Sequence, residues 1–173
     1  MGGAGGDVRY HNEEGAMKPL RAWACIAFLA SLACSAQDFD TGLRAYENKD
    51  YAAALKEWKP LADKGNTRAE FNLGLLYFDG KAVPQDYAEA AQWFERAADQ
   101  GYTRAQHNLG EMYAIGQGVK RDYMLSSKWL SLCAAGGNET CAEHRDWVAK
   151  KLKGSQLSNA QRMTREWKPK AGS

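Results

Sequence analysis

The chain lacks every short motif that marks a catalytic constellation. There is no GxSxG, SxxK or HExxH and no Walker-type glycine loop in its 173 residues. No nucleophile is placed by spacing, so the chain is read as not an enzyme, with a weak hydrolase as the remaining catalytic alternative. An excess of one charge is also missing. Lys and Arg number 23 against 21 Asp and Glu, a formal net charge of +2, which is no electrostatic footprint for nucleic acid. Histidine is scarce, with 3 in all. Only His107 and His144 lie beyond the N-terminal segment and no CxxC spacing occurs, so neither a metal nor a cofactor is expected. The apolar run Ala22 to Ala33 is too short to span a bilayer, which takes about 20 residues.

That run reads as the middle of an export signal over residues 17–36. Met17-Lys18-Pro19-Leu20-Arg21 is a short basic start, and Ala33-Cys34-Ser35-Ala36 offers small residues for cleavage after Ala36. Residues 1–16, glycine-rich and without periodicity, are read as a leader that is not native, with Met17 as the start. A lipoprotein signal is the alternative. Leu32-Ala33-Cys34 resembles a lipobox, although Ser31 stands where leucine is usual, and a lipidated Cys34 would tether the protein to a membrane surface. Either way the expected location is periplasmic or secreted.

Four cysteines occur, but Cys25 and Cys34 belong to the signal, which leaves Cys133 and Cys141. In an exported protein such an even pair forms a bridge, the alternative being two buried free thiols. Cys133 is expected in the last turn of one helix and Cys141 in the first turn of the next. Ala134-Ala135-Gly136-Gly137-Asn138 makes the turn, which allows the two ends within bridging distance. Asn138-Glu139-Thr140 in the same turn is also a glycosylation sequon, without meaning in a bacterial host.

What the chain has in abundance is repetition. Residues 50–85 laid on 86–121 agree at 16 of 36 positions. Asp50-Tyr51-Ala52 returns as Asp86-Tyr87-Ala88, Asn72-Leu73-Gly74 returns as Asn108-Leu109-Gly110, and a third copy opens at Asp122-Tyr123. A fixed period of this length means stacked units, each unable to bury its apolar face alone. The fold class is therefore all-α, an α-solenoid of antiparallel helix pairs. In the first helix Ala69, Leu73 and Tyr77 form one stripe, repeated by Ala105, Leu109 and Tyr113. Gly74 and Gly110 sit mid-helix at a cost of about 1 kcal/mol each against alanine, which points to a neighbouring helix approaching closely. Gly80 and Gly116 suit a positive φ, Asp86 and Asp122 suit N-caps, and Val83 and Val119 are expected to tuck under the loop. The second helix carries Ala90, Trp93, Ala97 and Ala98, and ends at Gly101.

The pattern resembles the Sel-1-like repeat, a relative of the tetratricopeptide repeat. The words that carry it are Ala69-x-x-x-Leu73-Gly74-x-x-Tyr77-x-x-Gly80-x-x-Val83-x-x-Asp86, then Ala90-x-x-Trp93-x-x-x-Ala97-Ala98-x-x-Gly101. The copy from Ala105 to Gly137 follows, departing at Ser126, where the family has alanine, and at Cys133. The first copy carries Ala82 where the second has the loop glycine Gly118. Repeats are expected over about 38–68, 69–104 and 105–140, the first of them a shorter tetratricopeptide-type unit. A terminal helix pair at 141–168, around Trp147, Leu152, Leu157 and Trp167, is expected to cap the stack, followed by a tail at 169–173. The cysteine spacing is similar to that of cysteine-rich secreted members of the family, where the pair is disulfide-bonded.

The resemblance implies a scaffold or adaptor that binds a protein or peptide on the concave face lined by first helices. On that face the implied residues are Arg68, Phe71, Asn72 and Leu75, then Arg104, His107, Asn108 and Glu111. Asparagine pairs with the backbone of an extended peptide and arginine grips a carboxylate. The charge distribution supports an alternative partner. Arg145 to Lys170 holds eight basic residues against Asp146 and Glu166, a patch that would suit an anionic envelope surface or a cell-wall glycan.

Overall fold

The structure, a computed structural model, describes residues 39–170. The leader, the signal with its cleavage site, and the lipidation position Cys34 lie outside the described residues. Among these, eight helices follow one another with no strand: α1 (39–47), α2 (Tyr51–Asp63), α3 (Thr67–Asp79), α4 (Tyr87–Asp99), α5 (Thr103–Ile115), α6 (Tyr123–Ala135), α7 (Glu139–Ala149) and α8 (Ser155–Glu166).

The helix starts keep the period of the sequence. α2, α4 and α6 begin at Tyr51, Tyr87 and Tyr123, and α3, α5 and α7 at Thr67, Thr103 and Glu139. Each even-numbered helix of that set is capped by the aspartate before it. The Asp86 carboxylate accepts from the backbone N–H of Ala88 and Glu89, and Asp122 does the same for Met124 and Leu125. Asn66 and Asn138 cap α3 and α7 through their side-chain oxygens. Tyr102 holds the equivalent place before α5 and makes no side-chain cap.

From α2 to α7 each helix packs against the next, and the buried apolar residues gather in three successive clusters, one around Trp58, one around Phe94 and one holding Leu130 and Val148. The two mid-helix glycines are where this packing is tightest. A Cβ on Gly110 would stand 2.7 Å from the Leu130 side chain of α6, which confirms the close approach expected from the sequence. The family's departure at Ser126 has a local reason. Its hydroxyl is fully buried and donates to the Gly110 carbonyl at 2.7 Å, so a polar atom placed in the core is satisfied there.

A second polar stitch joins three helices. Glu70 on α3 is 1% exposed, yet its carboxylate meets the Arg96 Nε at 2.9 Å and accepts from the Gln100 amide at 2.6 Å. Arg96 also donates to the Ala62 carbonyl of α2 at 2.7 Å. Burial pushes the Glu70 carboxyl above the usual carboxylate range, opposed by the Arg96 charge and by the hydrogen bonds from Arg96 and Gln100. One period later Gln106 takes the same buried position as a neutral group, donating to the Ala98 carbonyl.

Cys133 and Cys141 are bonded, with their Cα atoms 5.8 Å apart and both residues fully buried. The bridge ties the end of α6 to the first turn of α7. Beyond α7 the arrangement departs from a terminal helix pair. α8 packs against α6 rather than antiparallel to α7. Trp167 meets Trp129 edge-on at 6.4 Å, and the Lys170 N–H donates to the Asp99 carbonyl at 2.8 Å. The chain thus returns over the second helices, because Trp167 finds there an apolar seat that the short α7 cannot offer.

Candidate partner-binding cleft

The first helices of three successive units, α3, α5 and α7, line one face of the stack. A cleft of about 640 Å³ opens there, with Leu75, Phe78 and Asp79 on one wall and His144, Trp147 and Val148 on the other. Asn108, Glu111, Met112, Ile115 and Gln117 form its floor and lip. Because all three helices hold the same register, the lining repeats every 36 residues. Asn72, Asn108 and His144 are equivalent, as are Leu75, Glu111 and Trp147, and Asp79 and Ile115.

The sequence-derived face is placed unevenly. Leu75, Asn108 and Glu111 line the cleft. Asn72 is half-buried, and neither its amide nor that of Asn108 has an intramolecular hydrogen-bond partner among the described residues, so neither asparagine serves to hold a local loop. Arg104 is exposed, while Arg68 lies over the Phe39 ring with its guanidinium carbon 4.0 Å from the centroid. The two arginines, at the same register of successive units, therefore sit in different surroundings. Phe71 leaves the face altogether. It is 7% exposed and packs against Phe94 and Tyr102 at ring distances of 5.6 and 5.0 Å. His107 occupies the same register and stays half-buried, meeting His144 of α7 across the helix interface.

Two residues missed by the sequence reading dominate the cleft. Ile115, 65% exposed, and Trp147, 50% exposed, are the large apolar side chains left in solvent among the described residues, and both line it. Each breaks its register in a visible way: Ile115 stands where the previous unit has Asp79, and Trp147 where it has Glu111. Extending the repeat one further period into α7 would have found Trp147. On the opposite lip Asp79 is already engaged, its carboxylate 2.9 Å from the Lys81 ammonium. That hydrogen bond, and then the one to the Tyr46 hydroxyl, hold Lys81 above the usual lysine range.

Residues 67–102 and 103–138 each match the Sel1 repeat family model. The fold and sequence are similar to those of the Sel1 repeat protein from Oxalobacter formigenes. That likeness is 30% in identity with a TM-score of 0.61, over 73% of this chain and 98% of that one. The chain belongs to the Sel1 repeat family. This Sel1 protein is also similar to a protective antigen present in uropathogenic Escherichia coli strains displaying an SLR fold. There the identity is 29% and the TM-score 0.73, over 90% of this chain, which spans 35% of that relative's length. No curated protein matches. Sel1 solenoids are generally scaffolds for protein–protein interaction and typically non-enzymatic. No described helix of this one is long and apolar enough to cross a membrane. A buried disulfide belongs to an oxidising compartment.

Proposed function

We propose that this Sel1 protein is an exported scaffold, periplasmic or secreted, that holds an extended segment of a partner protein in the cleft between α3, α5 and α7. The observation that carries the reading is the pairing of exposed apolar anchors with a cleft-lining amide, that of Asn108, which no described residue engages. Trp147 and Ile115 offer apolar area that soluble surfaces rarely leave bare at one place, and tryptophan is a frequent anchor of binding energy. Asn108 beside them has both a donor and an acceptor free for a peptide backbone. The disulfide and the export signal over 17–36 favour the envelope or the exterior.

The competing reading, a binder of an anionic envelope surface or cell-wall glycan, rests on the basic C-terminal segment. It is weakened by local pairing: Arg145 with Asp146, Arg162 with Glu166 and Lys170 with Asp99. The test is site-specific photo-cross-linking from Ile115, with Glu95 on the outer face of α4 as the control position. A defined protein adduct from Ile115, absent from Glu95 and lost in Trp147→Ala and Asn108→Ala, supports the cleft. Adducts equal at both positions overturn it. Retention on anionic vesicles or glycan that collapses in salt moves the function to the basic segment.

A further inference from the structure

The described residues hold two histidines, 37 residues apart, and the fold brings them together. His107 Nε2 lies 3.4 Å from His144 Nδ1. Glu111, one turn after His107 on α5, places its Oε1 2.9 Å from His144 Nδ1 and 3.4 Å from His107 Nε2. We propose that His107, Glu111 and His144 form a binding site for a divalent transition metal ion, with zinc as the best fit.

The distances carry the argument. Zinc holds imidazole nitrogen at about 2.0–2.1 Å and carboxylate oxygen at about 2.0–2.2 Å. Two such ligands at a tetrahedral angle are about 3.4 Å apart, and at a right angle about 2.9 Å apart, by the same bond lengths. The three observed edges fall on those values, so an ion can sit above the triangle without moving either helix. Two imidazoles and one carboxylate are also the donor set that suits zinc, copper, iron or nickel, and not calcium or magnesium, which take oxygen.

The scaffold is rigid where it must be. His107 and Glu111 are four residues apart, hence on one face of α5. His144 follows Cys141 by one turn, and the disulfide anchors that turn to α6. The neighbouring cation does not compete, since the Arg145 guanidinium is turned to Asp146 at 2.7 Å. The side chains of His107, Glu111 and His144 are 23%, 46% and 41% exposed, open enough for an ion to enter. Three protein ligands leave a further coordination position. Glu111 and His144 also line the cleft, so that position lies at its rim. The ion would tie α5 to α7 whether or not the cleft takes a peptide, so the site stands apart from the proposed scaffold role.

Equilibrium dialysis and calorimetry of the tag-free protein with zinc ion alone test it, with cobalt as a spectroscopic substitute. One ion per chain is expected, with a cobalt spectrum showing nitrogen and oxygen ligation. Glu111→Gln and His144→Asn should each weaken binding by more than about a hundredfold, beyond the roughly 10–100-fold loss an outer-shell change causes. His144→Asn restores the asparagine of the two preceding units, so its fold is safe, and circular dichroism checks both variants. Thermal stability should rise on adding zinc to the wild type and not to either variant. No stoichiometric zinc binding, or zinc binding unchanged in both folded variants, overturns the site and leaves a hydrogen-bonded triad.

Discussion

A Cβ added to Gly74 would stand 2.5 Å from the ring of Phe94, a distance no packed carbon tolerates. α3 and α4 thus touch backbone to ring at this point, and Phe94 is fully buried by it. Alanine would contribute about 1 kcal/mol of helix propensity, but overpacking costs more because the ring has nowhere to move. Gly74→Ala is expected to lower stability by about 2 kcal/mol, read as a shift in urea midpoint. An unchanged or raised midpoint would show that α3 and α4 are not in such close contact.

The loop after α3 contains a strain that the next unit has removed. Ala82 adopts φ 65°, where its counterpart Gly118 has φ 68°. A left-handed alanine is disfavoured by about 1 kcal/mol. Ala82→Gly should therefore stabilise the protein by up to about 1 kcal/mol, whereas Gly118→Ala should destabilise it more strongly. The second substitution adds contact as well as strain, since a Cβ there would overlap the Tyr87 carbonyl. Paired thermal melts read both signs.

Glu70 makes stability depend on pH with a defined sign. Its folded-state pKa is raised from 4.5, chiefly by burial. A raised carboxyl contributes stability that is full below the unfolded value and lost as pH rises through the folded one. The stability of Glu70→Gln relative to wild type should therefore increase between about pH 4.5 and pH 7, as the neutral Gln106 of the next unit suggests. Arg96→Met should destabilise at pH 7, by removing the counter-charge, and less so near pH 4.5. Denaturant titrations at the two pH values decide it. A pH-independent difference would mean Glu70 titrates alike in both states.

Reduction of the Cys133–Cys141 bridge, or a double serine variant, should cost about 2–3 kcal/mol, the loop-closure value for so short a span. The loss should fall locally on α7, because α6 is also held by α5 and α8. Hydrogen exchange with and without reductant measures it. Uniform loss of protection across all helices would show instead that the bridge supports the whole stack.

Much of this architecture was legible in the chain because its causes are local. A 36-residue period, aspartates before helices, glycines at loop turns and a cysteine pair across one turn each act within a few residues, and each is realised in the structure. Trp147 and His144 were not assigned to the binding face because α7 keeps the helix start and the asparagine cap of the repeat but few of its apolar matches. The alignment fades there while the geometry continues.

By itself, then, the sequence determined the helix pairs, their caps, the tight crossings at Gly74 and Gly110, and the bridge. Only the tertiary structure decided which side chains face outward. Phe71 and His107 share a register, yet Phe71 turns into the core because Phe94 and Tyr102 offer it an aromatic seat, and His107 turns towards α7. The meeting of His107, Glu111 and His144, the exposure of Ile115 and Trp147, and the return of α8 over α6 all depend on how units stack. Stacking is set by the summed fit of side chains from different repeats, and no spacing within one repeat encodes that sum.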